Sequence, residues 1–123
     1  MQVETVFKAL AHKNRLRILN LINNRELCVC ELENIMGTTQ SNVSRHLGKL
    51  KDADIISPRR DAQWIYYALN DEFIQEHSFL QKVIQEELVG QIFDEDMDRL
   101  QIYMESNLNC SDLREGREIF PDN

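Results

Sequence analysis

The sequence predicts a mainly α-helical chain with one small β-hairpin. It is arranged as a helix-turn-helix followed by the hairpin, and paired as a homodimer through its N-terminal and long C-terminal helices. Three observations carry this prediction. Apolar residues recur at three- and four-residue spacing over most of the chain. The period drops to two between Ile55 and Leu69. Helical spacing then returns in a stretch with more apolar surface than a small body can cover.

The elements follow in order. Val3, Val6, Phe7 and Leu10 share one face, which predicts a helix over residues 2–11. Asn14 is placed to cap a second helix with the stripe Leu16, Leu19 and Ile22, and Asn23-Asn24 stops it. Leu32, Ile35 and Met36 define a short third helix, closed by Gly37 in the left-handed conformation. Thr38-Thr39 offers hydroxyl caps for a fourth, whose buried face is Val43, Leu47 and Leu50. Ile55-Ile56 begins a strand, Pro58 to Gln63 holds the turn, and Trp64 to Leu69 forms the second strand. Arg59 and Arg60 make the hairpin tip basic.

From Asn70-Asp71 a long helical pattern runs through Phe73, Ile74, His77, Leu80, Val83, Ile84 and Leu88. Ile92, Phe93, Met97, Leu100 and Met104 continue it after a break near Asp94 to Asp98. A second copy of the chain would cover this stripe. The tail after Asn109 is polar and acidic, with Pro121 near its end, and is expected to be mobile. Residues 1–93 therefore form one expected unit, the helix-turn-helix and hairpin with the dimerising helices, and residues 94–123 an acidic C-terminal helix and tail.

A length of 123 residues suits one domain. The net charge of −7 is unevenly spread. Residues 1–70 hold ten Lys/Arg against seven Asp/Glu, a net of +3, while residues 71–93 carry −4 and residues 94–123 carry −6. The first part can still face phosphate. Three cysteines are too few for a disulfide framework, and no signal peptide or apolar spanning run is read. A cytoplasmic protein with reduced thiols and no membrane partner is expected. There is no Gly-rich phosphate loop, nucleophile-and-base pair or paired carboxylate, so neither an enzyme nor an organic cofactor is expected.

Helices three and four, joined through Gly37-Thr38, have the pattern of a helix-turn-helix. With Val43 turned inward at about 100° per residue, Ser41, Arg45 and Gly48 point outward. Lys49 lies beside them, and Gln40, Asn42 and Ser44 flank the exposed side. No carboxylate occurs from Thr38 through Lys51. Gln and Asn suit adenine and Arg suits guanine. His46 is grouped with these DNA contacts, and Arg59 and Arg60 are placed for phosphate or the minor groove. Arg15 and Arg17 are candidates for further backbone contacts.

Cys28-Val29-Cys30 sits just ahead of this reader. Thiolate sulfur prefers soft ions such as Cu(I), Cd(II), Pb(II) or trivalent arsenic. In a regular helix, residues two apart point about 200° from each other. Both can grip one ion only if the start of helix three is unwound or unwinds on binding. Chelation would then distort helix three and move helix four, which packs on it. Cys110 is either a third ligand, within one subunit or across the dimer, or an idle tail thiol.

Four segments together resemble the ArsR/SmtB family of winged-helix metalloregulators: residues 12–19 (HKNRLRIL), 26–32 (ELCVCEL), 40–47 (QSNVSRHL) and 59–67 (RRDAQWIYY). The resemblance covers about residues 3–93. It implies a dimeric repressor that leaves an inverted-repeat operator on double-stranded DNA when an inducer binds. It also implies that helix four reads the major groove and that the hairpin is the wing. The likeness is to arsenic- and antimony-responsive members, so As(III) or Sb(III) is the implied inducer, held by Cys28 and Cys30 with Cys110 as the candidate third thiol, or a methylated trivalent arsenical held by two thiols alone. Such members commonly place a third Cys three residues after the second, where this chain has Glu33. Cadmium- and lead-responsive relatives recruit thiols from an N-terminal arm, and no cysteine precedes Cys28. Relatives with a zinc or nickel site on the last helix use Asp-X-His, whereas Asp71 is followed by Glu72-Phe73. Two alternatives stay open: a redox- or Cd/Pb-responsive repressor of the same fold, and a small dithiol chaperone or redox enzyme.

Overall fold

The computed structural model describes residues 2–120. Two short helices, α1 (Val3–Leu10) and α2 (Lys13–Leu21), open the chain. The second is capped by His12 rather than Asn14. Residue 12 is extended, and its ring Nδ1 accepts from the Asn14 N–H at 3.1 Å. Strand β1 (Leu27–Cys28) then leads into α3 (Val29–Met36), which ends at Gly37 with φ +71°. That left-handed residue costs glycine nothing sterically, and it turns the chain into α4 (Gln40–Asp52). Thr39 Oγ1 caps α4 by accepting from the Asn42 N–H at 3.2 Å.

Strands β2 (Ile56–Asp61) and β3 (Trp64–Leu69) are antiparallel, in register from Ile56↔Leu69 to Asp61↔Trp64. β1 pairs with the other edge of β3 through Leu27↔Tyr67 and Cys28↔Tyr66, so the sheet order is β1-β3-β2. β1 was not expected, because two residues show no period. The hairpin turn is also tighter than expected. Pro58, Arg59 and Arg60 lie on β2, and Ala62 with φ +56° makes the turn. Pro58 is tolerated because β2 is an edge strand.

The expected long helix is broken in a different place. α5 (Asp71–Glu76), α6 (Ser78–Lys82) and a π-helical turn (Val83–Glu87) stop before Gly90, whose φ is +131°. α7 (Gln91–Ser106) then runs unbroken through the acidic residues 94–98, so the expected division after residue 93 falls inside one helix. The tail is not loose over its described part. Asn109 caps α8 (Cys110–Arg114), and Cys110, Leu113 and Ile119 are buried. Pro121 lies outside the described residues. Apolar packing explains this order: α8 sits against α3 and closes the core instead of trailing into water.

The core is built from Ile18, Leu19, Leu32, Ile35, Val43, Leu47, Leu50 and Ile55, all fully buried. It clamps α3 and α4 against α2 and the sheet, which fixes the reader and the start of α3 relative to each other. Among the described residues, no helix is long and apolar enough to cross a membrane.

Candidate functional site

The outward face of α4 has the expected composition. Gln40, Ser41, Ser44, Arg45 and Lys49 are exposed, and Asn42 is half-buried. Asn42 is held from two sides. Its Nδ2 donates to Thr38 Oγ1 at 3.2 Å, and its Oδ1 accepts from Arg45 Nη2 at 3.2 Å. Arg45 is thus aimed by a neighbour one helical turn back and stays in solvent.

His46 is corrected. It is 2 % exposed, faces inward, and packs against the His12 ring at a centroid distance of 4.3 Å. It cannot reach DNA from there. Four residues beyond Asn42, it falls on the same side of α4 as Val43 and Leu50, where the helix meets α2 and α1. Arg15 Nη1 lies 3.2 Å from His46 Nδ1. A guanidinium only donates, so this ring nitrogen accepts and the imidazole is neutral. Burial first, and then the charges of His12, Arg15 and Arg45, push the His46 pKa down to about 4. The sign follows. Between that value and about 6.5 the unfolded chain binds a proton that the folded chain refuses, so stability falls as the pH drops through this window. Between pH 7 and pH 5 a loss of roughly 2 kcal/mol is expected in urea denaturation. His46→Gln should flatten most of that slope; an unchanged slope would assign the effect to other groups.

Arg15 and Arg17 are likewise turned to internal work. Arg15 Nε donates to the Ala9 carbonyl at 2.7 Å and Nη2 to the Lys8 carbonyl at 3.1 Å, closing the end of α1. Arg17 forms a bidentate pair with Asp96 of α7, at 2.7 and 2.8 Å, and Asp96 is 1 % exposed. The hydrogen bonds that Arg17 donates to Asp96 raise its pKa. Arg17 Nη2 also donates to the Met36 carbonyl at 3.3 Å. Arg99 of α7 donates to the Ile35 and Asn34 carbonyls at 2.6 and 3.2 Å. Two cations therefore satisfy the last carbonyls of α3, where the helix dipole favours positive charge.

On the wing, Arg59 is exposed but engaged. Its Nε donates to both Glu26 oxygens at 3.1 and 2.9 Å, Nη2 donates to the same carboxylate, and its guanidinium lies 5.1 Å from the Tyr66 ring centre. The Arg59 hydrogen bonds hold the Glu26 carboxyl below its usual range. Arg60 is exposed, and its Nη1 donates to the Ala62 carbonyl at 3.4 Å.

Cys28 caps α3 from extended backbone, with φ −92° and ψ 172°, so the chain is already unwound at the first thiol. Its sulfur is not bonded to that of Cys30. It is joined to Cys110 of α8 in a disulfide spanning a sequence separation of 82, and both residues are 2 % exposed. Glu31 sits on the same spot. Its Oε1 accepts from the Cys28 N–H at 2.8 Å, and its other oxygen accepts from the Tyr103 hydroxyl of α7. Burial, followed by this contact with Glu31, pushes the Tyr103 pKa far up, so the phenol remains a donor. Tyr66 Oη lies 3.7 Å from Cys110 Sγ. The sulfurs of Cys28 and Cys110 and a Glu31 oxygen all lie within 4.8 Å of one another.

Cys30 is a free thiol in the first turn of α3. It opens into a cleft of about 260 Å³ whose walls include Gln40 and Ser44 of the reading helix, Trp64 and Tyr67 of the wing, and Arg114 of α8. The guanidinium of Arg114 lies 5.6 Å from the Trp64 ring centre. Thiol, reader, wing and tail meet in this one place. Glu31 escaped the sequence reading as part of the site, although its position three residues after Cys28 is the spacing of a capping box. Tyr103 and Asp96 carry no local signal at all.

The family model for the bacterial regulatory protein, arsR family, matches residues 12–57. Over 71 residues the chain is 46 % identical to the arsenic resistance transcriptional regulator ArsR1 of Pseudomonas putida, covering 57 % of this chain and 56 % of that one. It is 36 % identical to a homologue of the cadmium resistance regulatory protein CadC of Staphylococcus aureus, covering 62 % and 64 %. It thus spans little more than half, and just under two thirds, of these two relatives. Among solved structures, the homodimeric winged helix-turn-helix DNA-binding domain of a Mycobacterium bovis protein superposes with a TM-score of 0.59 at 31 % identity, covering 71 % of this chain and 82 % of that one. With the fold, the motifs and these likenesses in agreement, the chain belongs to the ArsR family of bacterial regulatory proteins, which are transcription regulators and not enzymes.

Proposed function

We propose that this chain is a cytoplasmic, homodimeric, DNA-binding repressor that leaves its operator when trivalent arsenic or antimony is captured by cysteine thiolates. The observation that carries this reading is the meeting of Cys28 and Cys110 at the residue that caps the start of α3, the helix packed directly on the reader. In the reduced protein, an arsenite molecule exchanges its three hydroxyls for three thiolate sulfurs and releases three waters. Cys28 and Cys110 supply two of these sulfurs, and Cys30 turns in from the cleft as the third. That turn unwinds the first turn of α3 and shifts the Gln40 and Ser44 end of α4. Two α4 helices, one from each protomer, enter successive major grooves of an inverted repeat.

Fluorescence anisotropy on labelled operator, with arsenite added under reducing conditions, tests the proposal. Retention of the complex at saturating arsenite would sink it. Arg45→Ala should weaken operator binding by at least tenfold, the low end for a bidentate base contact, without changing arsenite uptake. Unchanged affinity would remove Arg45 from the reader.

The Cys28–Cys110 disulfide favours a second reading, in which thiol oxidation itself is the signal. Peroxide added without arsenite then releases the operator, and a thiol reductant restores binding.

A further inference from the structure

We propose that the reduced protein holds a thiophilic divalent cation, cadmium or zinc, through Cys28, Cys110 and the Glu31 carboxylate, with no part played by Cys30. This rests on the reading that Cys28 and Cys110 are ligands, and it adds a donor and an ion class to that reading.

The donor atoms are already assembled, since the two sulfurs and the carboxylate oxygen lie within 4.8 Å of one another and all three residues are buried. In the oxidised chain the two sulfurs share a bond; reduction breaks it and lets them part to the spacing that zinc bonds of about 2.0–2.3 Å need, with the Glu31 carboxylate already beside them. Glu31 supplies a second, independent observation. It is 5 % exposed, and no Lys, Arg or His forms an ion pair with it among the described residues. Its two partners, the Cys28 N–H and the Tyr103 hydroxyl, are neutral donors and use one lone pair on each oxygen. A buried carboxylate lacking a cation is costly, and the remaining lone pairs are free to bind one. Tyr103 and the Cys28 amide keep the group aimed at the sulfurs.

The donor chemistry selects the ion. Two thiolates and a carboxylate suit a borderline divalent metal, whereas trivalent arsenic is better matched by three sulfurs. Cys28 and Cys30 both border the cleft, but Cys30 is not in this group of donors. Arsenic would have to recruit it, while a divalent ion would not.

The chemistry balances. Two thiols of the reductant give two electrons and their two protons to the Cys28–Cys110 bond, joining each other in a new disulfide and leaving Cys28 and Cys110 as thiols. The cation then forms two metal–sulfur bonds and one metal–oxygen bond, and the two thiol protons pass to solvent.

The test uses the full chain, reduced and free of DNA, titrated with cadmium chloride. The thiolate-to-cadmium charge-transfer band in the ultraviolet gives affinity, and the cadmium-113 resonance reports the number of bound sulfurs. A resonance of the two-sulfur class is expected, unchanged in Cys30→Ser. Glu31→Gln removes the charge and keeps one acceptor oxygen for the Cys28 N–H, while its amide N–H can donate to the Tyr103 hydroxyl, which accepts as well as donates, so it should fold and bind cadmium at least tenfold more weakly. A three-sulfur resonance, a loss of affinity in Cys30→Ser, or full affinity in Glu31→Gln would each overturn the proposal. If Glu31→Gln does not fold, the wild-type resonance and Cys30→Ser still decide. None of these readouts involves the operator, so failure of the arsenite reading shows separately, as a complex that arsenite does not release.

Discussion

Cys28→Ser is expected to bind operator as the wild type does and to remain bound when arsenite is added. Serine is a good helix N-cap, and the extended backbone at residue 28 suits it, so α3 should start in the same place. The reading face of α4 contains no atom of residue 28 and should be untouched. What disappears is the link between ligand and DNA. Moving a site from nearly full to nearly empty takes a coupling on the order of 5 kcal/mol, or about a 10⁴-fold preference for the DNA-incompetent state. Without the Cys28 sulfur that preference should collapse towards unity, and Cys28→Ser with Cys30→Ser should behave alike. Anisotropy titrations with and without arsenite measure both quantities. If the variant is folded by circular dichroism yet fails to hold the operator, the separation between sensing and reading is wrong. If it still releases normally, Cys28 is not a ligand.

Asp96→Ala is expected to lower the stability of the folded chain by about 3 kcal/mol, the cost of removing one partner from a buried ion pair. The carboxylate is almost wholly enclosed, and it meets Arg17 in two short, parallel hydrogen bonds. Its removal leaves a largely buried guanidinium with only the Asn14 side chain and the Met36 carbonyl as partners. The same change frees α7 from α2, which weakens the second hold on the end of α3 through Arg99. Urea denaturation at pH 7 gives the magnitude. Arg17→Met with Asp96→Leu should recover much of the loss by replacing the pair with apolar packing. A change under 1 kcal/mol in Asp96→Ala would mean that water enters and solvates Arg17.

The contrast between these two sites explains what local pattern revealed. The third and fourth helices, the Gly37 turn and the hairpin all came from periodicity and capping, because each depends on residues within one or two turns of each other. The outward set on α4 followed from placing Val43 inside. His46 did not, because its fate depends on His12 and Arg15, which reach it from a different helix. Arg17 read as a surface cation for the same reason: its partner is 79 residues away. Cys110 looked like part of a loose acidic tail, and only the packing of α8 on α3 brings it to Cys28. The break at Gly90 was misplaced to the acidic run. α7 carries that acidic run unbroken because it turns Asp94, Glu95 and Asp98 to solvent and pairs the buried Asp96 with Arg17.

Trp64 is the sole tryptophan of the chain, and it stands in the wall of the cleft that Cys30, Ser44 and Arg114 also line. The molecule therefore carries its own optical probe at the junction of its working parts. Soft-ion uptake, withdrawal of the Arg114 cation from the indole, and contact with nucleic acid should each alter its emission differently. All three can be followed in unlabelled protein on a single wavelength channel.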